Sequence, residues 1–270
     1  MADPRLDPTA IRKIILEQSH RAQTGHIGSA LSIADIIAVL YGTTLNIQDP
    51  SDRERDRFIL SKGHAVLALY AALHLKGWLS EDHLNSYSGN GTLLGMHPER
   101  ALDGIDFSTG SLGHGLSIGA GVALAARLQR RSSRAFVLLS DAECNEGSTW
   151  EAAMFAAHHR LSNLIAVIDV NGQQALGYTK AVLDLEPLDA RWRAWHWDVH
   201  EVDGHDTEAL TETFERLDTN PANEGPPHVV IAKTTFGRGI SFMQNKIEWH
   251  YLPVDDEQYE AATKELDDPQ

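Results

Sequence analysis

Two side chains with oxygen ligands, Asp141 and Asn171, follow two short apolar runs of the chain. Residues 135–139 are Ala-Phe-Val-Leu-Leu, and residues 164–168 are Leu-Ile-Ala-Val-Ile. Short apolar runs bounded by turn-forming residues are typical of buried strands in a parallel sheet. The two side chains would then lie together at the carboxyl edge of the sheet, where open α/β sheets bind ligands. Oxygen ligands favour magnesium or calcium, and magnesium usually completes its coordination with water and phosphates, so the spacing predicts a metal-bound diphosphate.

The segment between the two runs is predicted to be a helix. Its first residues, 148–151 (Ser-Thr-Trp-Glu), fit a capping box, and an alanine-rich stretch follows. Strand, helix and strand then form one crossover. The simpler alternative is that Asp141 and Asn171 are ordinary turn-forming residues at strand ends, a role that both residue types often fill.

Composition and charge restrict the class of protein. The chain has 270 residues, 42% of them hydrophobic, and no internal repeat, which favours one α/β domain spanning residues 1–270. The net charge of −15 argues against nucleic acid and anionic membranes as partners, because both bind basic surfaces. No apolar run is long enough to cross a bilayer, and residues 1–8 lack a signal-peptide core. Cys144 is the single cysteine, so we expect no disulfide framework and a cytoplasmic protein.

Further elements are predicted on either side of the crossover. Asp7 and Pro8 favour a helix start, as an N-cap followed by proline at the first position, and Ser32 is predicted to cap a second helix. Helices are predicted from residue 8 to about 24, over 33–41, from the turn at 61–64 to 77, and over 116–131, 188–195 and 207–217. Strands are predicted over 58–60, 198–202 and 228–232.

Histidines in predicted loops form a second group of candidate functional residues. Two long loops cover residues 89–115 and 172–187, and long loops inside compact domains are often functional. Polar residues on ordered loops are where sites are built, so we expect function at the loop histidines. These are His26, His64, His97, His114 and His250, whereas His158 and His159 fall in a predicted helix.

Several motifs resemble, in the same order along the chain, those of the amino-terminal, diphosphate-binding domain of transketolase. They are Gly25-His26, residues 60–65 (Leu-Ser-Lys-Gly-His-Ala), 95–99 (Gly-Met-His-Pro-Glu), 109–113 (Thr-Gly-Ser-Leu-Gly), the Asp141 to Asn171 crossover, 241–243 (Ser-Phe-Met) and Trp249-His250. The resemblance implies a thiamine-diphosphate-binding fold, an α/β fold with a mostly parallel sheet and helices on both faces. The chain departs from the usual Gly-Asp-Gly signature, because Ser140 and Ala142 replace the glycines and leave less room for the diphosphate.

The resemblance also implies a role for individual residues. Asp141, Asn171 and the main-chain carbonyl of Gln173 are expected to hold magnesium or calcium. The residues expected around thiamine diphosphate are His64, Gly110, Leu112, Asp141, Ala142 through its backbone, Glu146, Asn171 and His250. The expected catalytic group is His26, His64, His97, Glu146 and His250.

Within that group, His26 and His97 match positions that contact the donor sugar, where a neutral imidazole can donate or accept a proton near pH 7. Glu146 and Glu151 match acidic residues that lie between the paired cofactor sites of the family dimer. Glu151 has an equally weighted alternative as the partner in the capping box.

The resemblance implies an enzyme that transfers a two-carbon ketol unit from a ketose, or ketose phosphate, to an aldose. A full transketolase carries two further domains, so we expect this chain to act with a separate carboxyl-terminal subunit, with two copies of each. The alternative is that the sequence is a piece of a longer chain. Two other functions are kept open, namely the alpha subunit of a 2-oxo acid dehydrogenase and a cofactor-binding relic without catalysis.

Overall fold

The computed structural model describes residues 6–219 and 224–268 of the chain. The helices are α1 (Pro8–Ala22), α2 (Ile27–Ser32), α3 (Ala34–Val39), α4 (Val66–Leu75), α5 (Glu81–Leu84), α6 (Gly115–Leu128), α7 (Gly147–His158), α8 (Thr179–Val182), α9 (Leu188–Ala194), α10 (Thr207–Arg216) and α11 (Asp256–Asp267). The strands are β1 (Arg57–Leu60), β2 (Ala135–Ser140), β3 (Leu164–Val170), β4 (Gln173–Gln174), β5 (Gly177–Tyr178), β6 (Asp198–Asp203) and β7 (His228–Lys233).

Within the described residues, five strands form one parallel sheet in the order β1-β2-β3-β7-β6. The predicted crossover is confirmed, because β2 and β3 pair in parallel with α7 between them. Their register sets Ser140 opposite Asp169. The residues that follow these strands therefore lie at the same edge of the sheet.

Helices cover both faces of the sheet, as the α/β prediction requires. All six residues of β2 are buried, and alternate side chains of a strand point to opposite faces. Phe136 and Leu138 belong to the core beneath α1, α3, α4 and α10. Val137 and Leu139 belong to the core beneath α6, α7 and α9. A strand buried on both faces needs an unbroken apolar run, which is what made β2 and β3 visible in the sequence.

Two predicted helix caps are wrong, because other groups use the serine side chains. Ser32 ends α2 instead of capping a helix, and its hydroxyl donates to Asp169 Oδ2 at 2.7 Å. The capping box at 148–151 does not form: the N-cap of α7 is Glu146, two residues before Ser148, and the Ser148 hydroxyl donates to the carbonyl of Gly113 at 2.9 Å. Glu151 is exposed and loses the capping role that was one of its two alternatives.

The carboxyl-terminal helix α11 was not predicted. Asp255 caps it, and Gln258 returns the bond to the Asp255 backbone in a true capping box. Ala262 and Leu266 are buried and join the core that α1 also lines. None of the described helices is long and apolar enough to span a membrane.

Candidate functional site

Asp141 and Asn171 lie side by side at the carboxyl edge of the sheet, as the sequence predicts. The N–H of Gly172 donates to Asp141 Oδ2 at 2.9 Å, which joins the turn after β3 to the end of β2. Asn171 Oδ1 accepts the N–H of Gln173 at 3.0 Å, and its Nδ2 donates to Asp169 at 2.7 Å. The three expected metal-binding residues therefore belong to one short segment and the strand end beside it.

The surroundings of the Asp141 carboxylate suit a divalent cation. Burial, followed by the negative charge of Asp169, raises the pKa of Asp141 to about 7, although N–H groups of Gly172 and Ala142 oppose the shift. A bound cation favours the ionised carboxylate and removes this cost. The ligands available here are oxygens, which magnesium and calcium prefer. Both amide atoms of the buried Gln173 side chain lack a hydrogen-bond partner among the described residues, so the site also has unused polar groups.

A buried carboxylate, Asp169, orients Asn171. It is fully buried and accepts hydrogen bonds from Lys62 Nζ, Thr234 Oγ1, Ser32 Oγ and Asn171 Nδ2. The bond from Nδ2 leaves the Asn171 oxygen on the opposite side of the amide. This role was not predicted from the sequence, although a charged residue inside a buried strand requires a partner.

Three of the expected histidines pack together beside this edge. The ring centroids of His26, His64 and His250 are separated by 5.0 to 5.6 Å. His26 has a positive φ of 64°, and its N–H donates to the carbonyl of His250 at 3.2 Å. His64 Nε2 lies 2.9 Å from the hydroxyl of Ser29, whose carbonyl accepts from Lys62 Nζ. The histidine cluster is thereby linked to Asp169 and to the predicted metal site.

The three clustered histidines are neutral at pH 7. Burial, followed by the positive charge of Lys62, lowers the pKa of His64 well below its usual value. Burial and the neighbouring His26 lower the pKa of His250 to about 4. Burial, followed by His97, lowers the pKa of His26. The Nδ1 atoms of His26 and His250 are buried and have no hydrogen-bond partner within residues 6–219 and 224–268, so they are available to bond a ligand.

The loop at 109–113 is fixed close to the fourth histidine, His97. The Thr109 hydroxyl donates to the carbonyl of Leu60 at 2.6 Å, which ties the loop to the end of β1. Gly110 has a φ of +154°, and a Cβ there would lie only 2.9 Å from His97 Cδ2. Glycine is needed at 110 for this contact and this backbone conformation. His97 is exposed to solvent. Its ring is nevertheless partly buried, and this burial lowers its pKa.

Glu143 holds the same loop from the other side, and it was not predicted from the sequence. Its buried carboxylate accepts hydrogen bonds from the Ser61 hydroxyl at 2.6 Å and from the N–H groups of Gly113 at 2.8 Å and Ser140 at 3.1 Å. The Glu143 N–H donates to the Ser140 hydroxyl at 3.2 Å. Ser140, one of the two residues that replace glycine, therefore anchors Glu143. Burial raises the pKa of Glu143 despite these bonds.

The remaining expected residues lie around this centre. Glu146 is exposed at the N-cap of α7, and a Cβ at Gly113 would lie 2.6 Å from Glu146 Cβ. Leu112 is partly buried in the loop. The Ala142 N–H, which the resemblance assigns to the diphosphate, donates to Asp141 Oδ1 at 2.9 Å. His114 is exposed. A cavity of about 540 Å³ adjoins Asp141 under the segment 178–188.

Comparison with known proteins agrees with the geometry. The family profile "Transketolase, thiamine diphosphate binding domain" matches residues 6–268. An apulose-4-phosphate transketolase subunit of Phocaeicola vulgatus is 40% identical over 258 residues, which cover 94% of this chain and 90% of that protein. The 6-deoxy-6-sulfo-D-fructose transketolase subunit SqwG of Clostridium sp. is 40% identical over 260 residues, covering 95% and 94% of the two chains.

Solved structures extend the comparison to longer proteins. The transketolase of Leishmania mexicana superimposes with a TM-score of 0.91 at 28% identity, over 99% of this chain and 42% of that one. The transketolase of Campylobacter jejuni gives a TM-score of 0.90, also at 28% identity, over 99% and 43% of the two chains. This chain thus spans less than half the length of those structures. It belongs to the transketolase family and carries the family's thiamine diphosphate binding domain.

Proposed function

We propose that this chain is the cofactor-anchoring subunit of a two-polypeptide transketolase, which transfers a two-carbon ketol unit from a ketose to an aldose. The observation that carries the proposal is that Asp141 and Asn171 share one sheet edge with a cluster of neutral histidines. The donor and acceptor are proposed as sugars or sugar phosphates. We further propose a cytoplasmic assembly of two copies of each subunit, with residues 1–270 of this chain as one domain.

The metal site is proposed from Asp141, the Asn171 oxygen and the Gln173 carbonyl. Thiamine diphosphate, held there through the metal, supplies the electron sink for carbon–carbon bond cleavage. The protein contributes orientation. The bond from Asn171 Nδ2 to Asp169 fixes the orientation of the amide, whose oxygen accepts one bond from the Gln173 N–H and has a second lone pair for the metal. Glu143 holds the loop carrying Gly110 and Leu112.

The histidines are proposed to handle protons of the sugar hydroxyls. A neutral imidazole can both donate and accept a proton, and His26 and His250 have buried Nδ1 atoms that no described residue bonds. His97, more exposed, lies next to Gly110. His64 is oriented by its bond to Ser29. Glu146, exposed at the start of α7, is proposed to lie between paired sites in the assembly.

The separate partner is supported by relatives that are named as subunits and by the surface. The two bacterial relatives named as transketolase subunits are matched over 90% or more of their length, whereas the transketolase of Pongo abelii is matched over 40%. Exposed apolar side chains surround the site, and such patches mark interaction surfaces. They are Leu176, Tyr178, Leu183, Tyr251 and Leu252. The Tyr251 hydroxyl donates to the carbonyl of Ala175, so the two segments form one surface, here called the apolar rim.

The test is calorimetry of thiamine diphosphate and magnesium with the reconstituted complex. We expect Asp141→Ala to abolish magnesium-dependent binding, because the variant removes the charged oxygen ligand from the set and leaves two neutral ones. Asp184→Ala is the matched control, since Asp184 is exposed, lines the same cavity and should bind as the unaltered protein does.

Unchanged cofactor affinity in Asp141→Ala would refute the metal assignment. If the unaltered complex bound no thiamine diphosphate at all, the chain would instead be a relic whose site is closed by Ser140 and Ala142. Ketol transfer by the isolated chain would contradict the need for a partner.

A further inference from the structure

A second cluster of metal-ligating side chains lies at the amino-terminal edge of the sheet, opposite Asp141. Asp198 and His228 are the first residues of β6 and β7, and the parallel register sets them opposite each other. His200 is two residues further along β6, so its side chain is on the same face as that of Asp198. One ligand atom from each of Asp198, His200 and His228 lies within 4.8 Å of the other two. Among the described residues, this is the group of three histidine, cysteine or acidic side chains that is compact enough to hold a metal ion.

The distances within this cluster suit a single small ion. His200 Nε2 lies 3.0 Å from Asp198 Oδ2, and His228 Nδ1 lies 3.2 Å from the same oxygen. Zinc binds nitrogen and oxygen at about 2.0–2.1 Å in a tetrahedron, which separates neighbouring ligand atoms by roughly 3.3 Å. Both distances to Asp198 are therefore already close to the spacing that a shared zinc ion requires, and all three ligand atoms lie within 4.8 Å of one another.

The hydrogen bonding of His228 indicates which nitrogen is available. Its Nε2 lies 3.0 Å from the carbonyl of Asp218, and a carbonyl only accepts, so Nε2 carries the proton. With the proton on Nε2, Nδ1 is the ring nitrogen whose lone pair can bind a metal ion. The residue is only 3% exposed, and Nδ1 is buried and faces the Asp198 carboxylate, with no hydrogen bond to it in the described part of the chain. Two electron-rich atoms facing each other are stabilised by a cation between them.

A histidine that binds a metal through one ring nitrogen usually donates a hydrogen bond from the other, and the bond from His228 Nε2 to the Asp218 carbonyl is of this kind. It fixes the tautomer and the orientation of the ring. The Asp198 side chain is 46% exposed and that of His200 is 28% exposed, so an ion can reach the cluster from solvent. A buried histidine, a partly exposed histidine and an exposed carboxylate together leave one coordination position open to water.

We propose that Asp198, His200 and His228 bind a divalent transition-metal ion, for which zinc has the best-matched ligand preference. Two imidazole nitrogens and one carboxylate suit zinc, whereas magnesium and calcium prefer sites made of oxygens. The ion joins the edge strand β6 to β7. It lies at the opposite end of the strands from the thiamine diphosphate site, and the proposal does not depend on the function proposed above.

The experiment uses the full chain, freed of metal with a chelator and then titrated with zinc chloride while magnesium is in excess. We expect one zinc ion to bind tightly to the unaltered chain and at least tenfold more weakly to His200→Asn, because each ligand contributes a coordination bond. His158→Asn is the matched control, because His158 and the adjacent His159 form another histidine pair. We expect this variant to bind zinc as the unaltered chain does.

Cobalt(II) gives an independent readout, because its visible absorption reports coordination by the protein. We expect a tetrahedral spectrum with the unaltered chain and its loss with His200→Asn. Asp198→Asn, also partly exposed, should repeat the result without disturbing the core. Absence of saturable zinc binding, or equal binding by His200→Asn and the unaltered chain, would overturn the proposal.

Discussion

His26, His64 and His250 are kept neutral at pH 7 mainly by burial, and also by the neighbouring cationic groups of Lys62 and other histidines, which lower their pKa values. This has a cost for the folded protein in acid, because the unfolded chain binds protons at an ordinary histidine pKa while the folded protein does not. A cluster that must exchange protons with a sugar near neutral pH is therefore also a source of acid sensitivity. The alternative is that these are three ordinary structural histidines held by hydrogen bonds. That alternative does not explain why the buried Nδ1 atoms of His26 and His250 are bonded by no described residue.

We predict that His250→Asn reduces the loss of stability in acid. The folded pKa of about 4 lies below the usual value of 6.5, so stability is fully present above about pH 6.5 and falls as the pH drops towards 4. At about pH 5 this single group accounts for at most about 2 kcal/mol. Urea denaturation at about pH 7.5 and 5 should show a smaller drop in unfolding free energy for the variant.

The matched control is His83→Asn on the exposed surface of α5. Asp141, with its raised pKa, changes stability in the opposite direction, but it is present in every variant and cancels in the comparison. An equal drop in His250→Asn and in the unaltered chain would contradict the prediction.

At the level of helices and strands, the elements that could be predicted are those marked in the sequence by an unbroken apolar run or by a strong capping signal. The runs at β2, β3 and β7 and the N-cap at Asp7 are where the predictions agree with the structure. Ser32 and Ser148 were wrongly predicted as caps because distant groups, Asp169 and Gly113, take their hydroxyls. A local sequence pattern does not show that a residue distant in the chain will accept the hydroxyl hydrogen bond instead.

The helix α11 was missed for a different reason. It is mostly polar, and its buried residues are Ala262 and Leu266, so no apolar run marks it in the sequence. The motif at 255–258, Asp-Asp-Glu-Gln, was nevertheless a readable capping box. In the site, Asp141, Asn171 and the histidines could be predicted from motifs, whereas Glu143 could not, because its role depends on three partners from separate segments.

We predict that Asp255→Ala destabilises the protein by about 1 kcal/mol, the usual cost of losing an N-cap side chain. The Asp255 carboxylate accepts the Gln258 N–H at 2.8 Å, and the variant loses this bond. Chemical denaturation of the two proteins measures the difference. Glu257→Ala, in the same exposed first turn but outside the capping box, should change stability much less. Equal effects of the two substitutions would show that α11 does not depend on its cap.

At the scale of the whole molecule, the apolar rim leaves the predicted cofactor site with a surface suited to a second chain. Leu176 is 79% exposed and Leu183 is 54% exposed. We predict that Leu183→Ser weakens the binding of the carboxyl-terminal subunit by about tenfold or more, since burying a leucine stabilises by about 1.5–3 kcal/mol. The measurement is the dissociation constant of the two subunits, with circular dichroism as the check on folding.

Leu128→Ser serves as the matched control for this prediction. Leu128 is 74% exposed at the end of α6, outside the rim, and its loss should leave association unchanged. Weakening of the same size in both variants would mean that the rim has no special part in assembly.

The strand order has a consequence for synthesis on the ribosome. β6 is made before β7, yet β7 is its one neighbour among the described strands of the sheet. The backbone N–H and carbonyl groups of β6 are therefore unpaired along both edges until β7 has been made. An apolar strand in that position would invite pairing with other nascent chains. The waiting strand is instead the polar one, Asp-Val-His-Glu-Val-Asp, with a charged or imidazole side chain at four of its six positions. Its polar composition disfavours pairing with other nascent chains until β7 emerges and pairs with it.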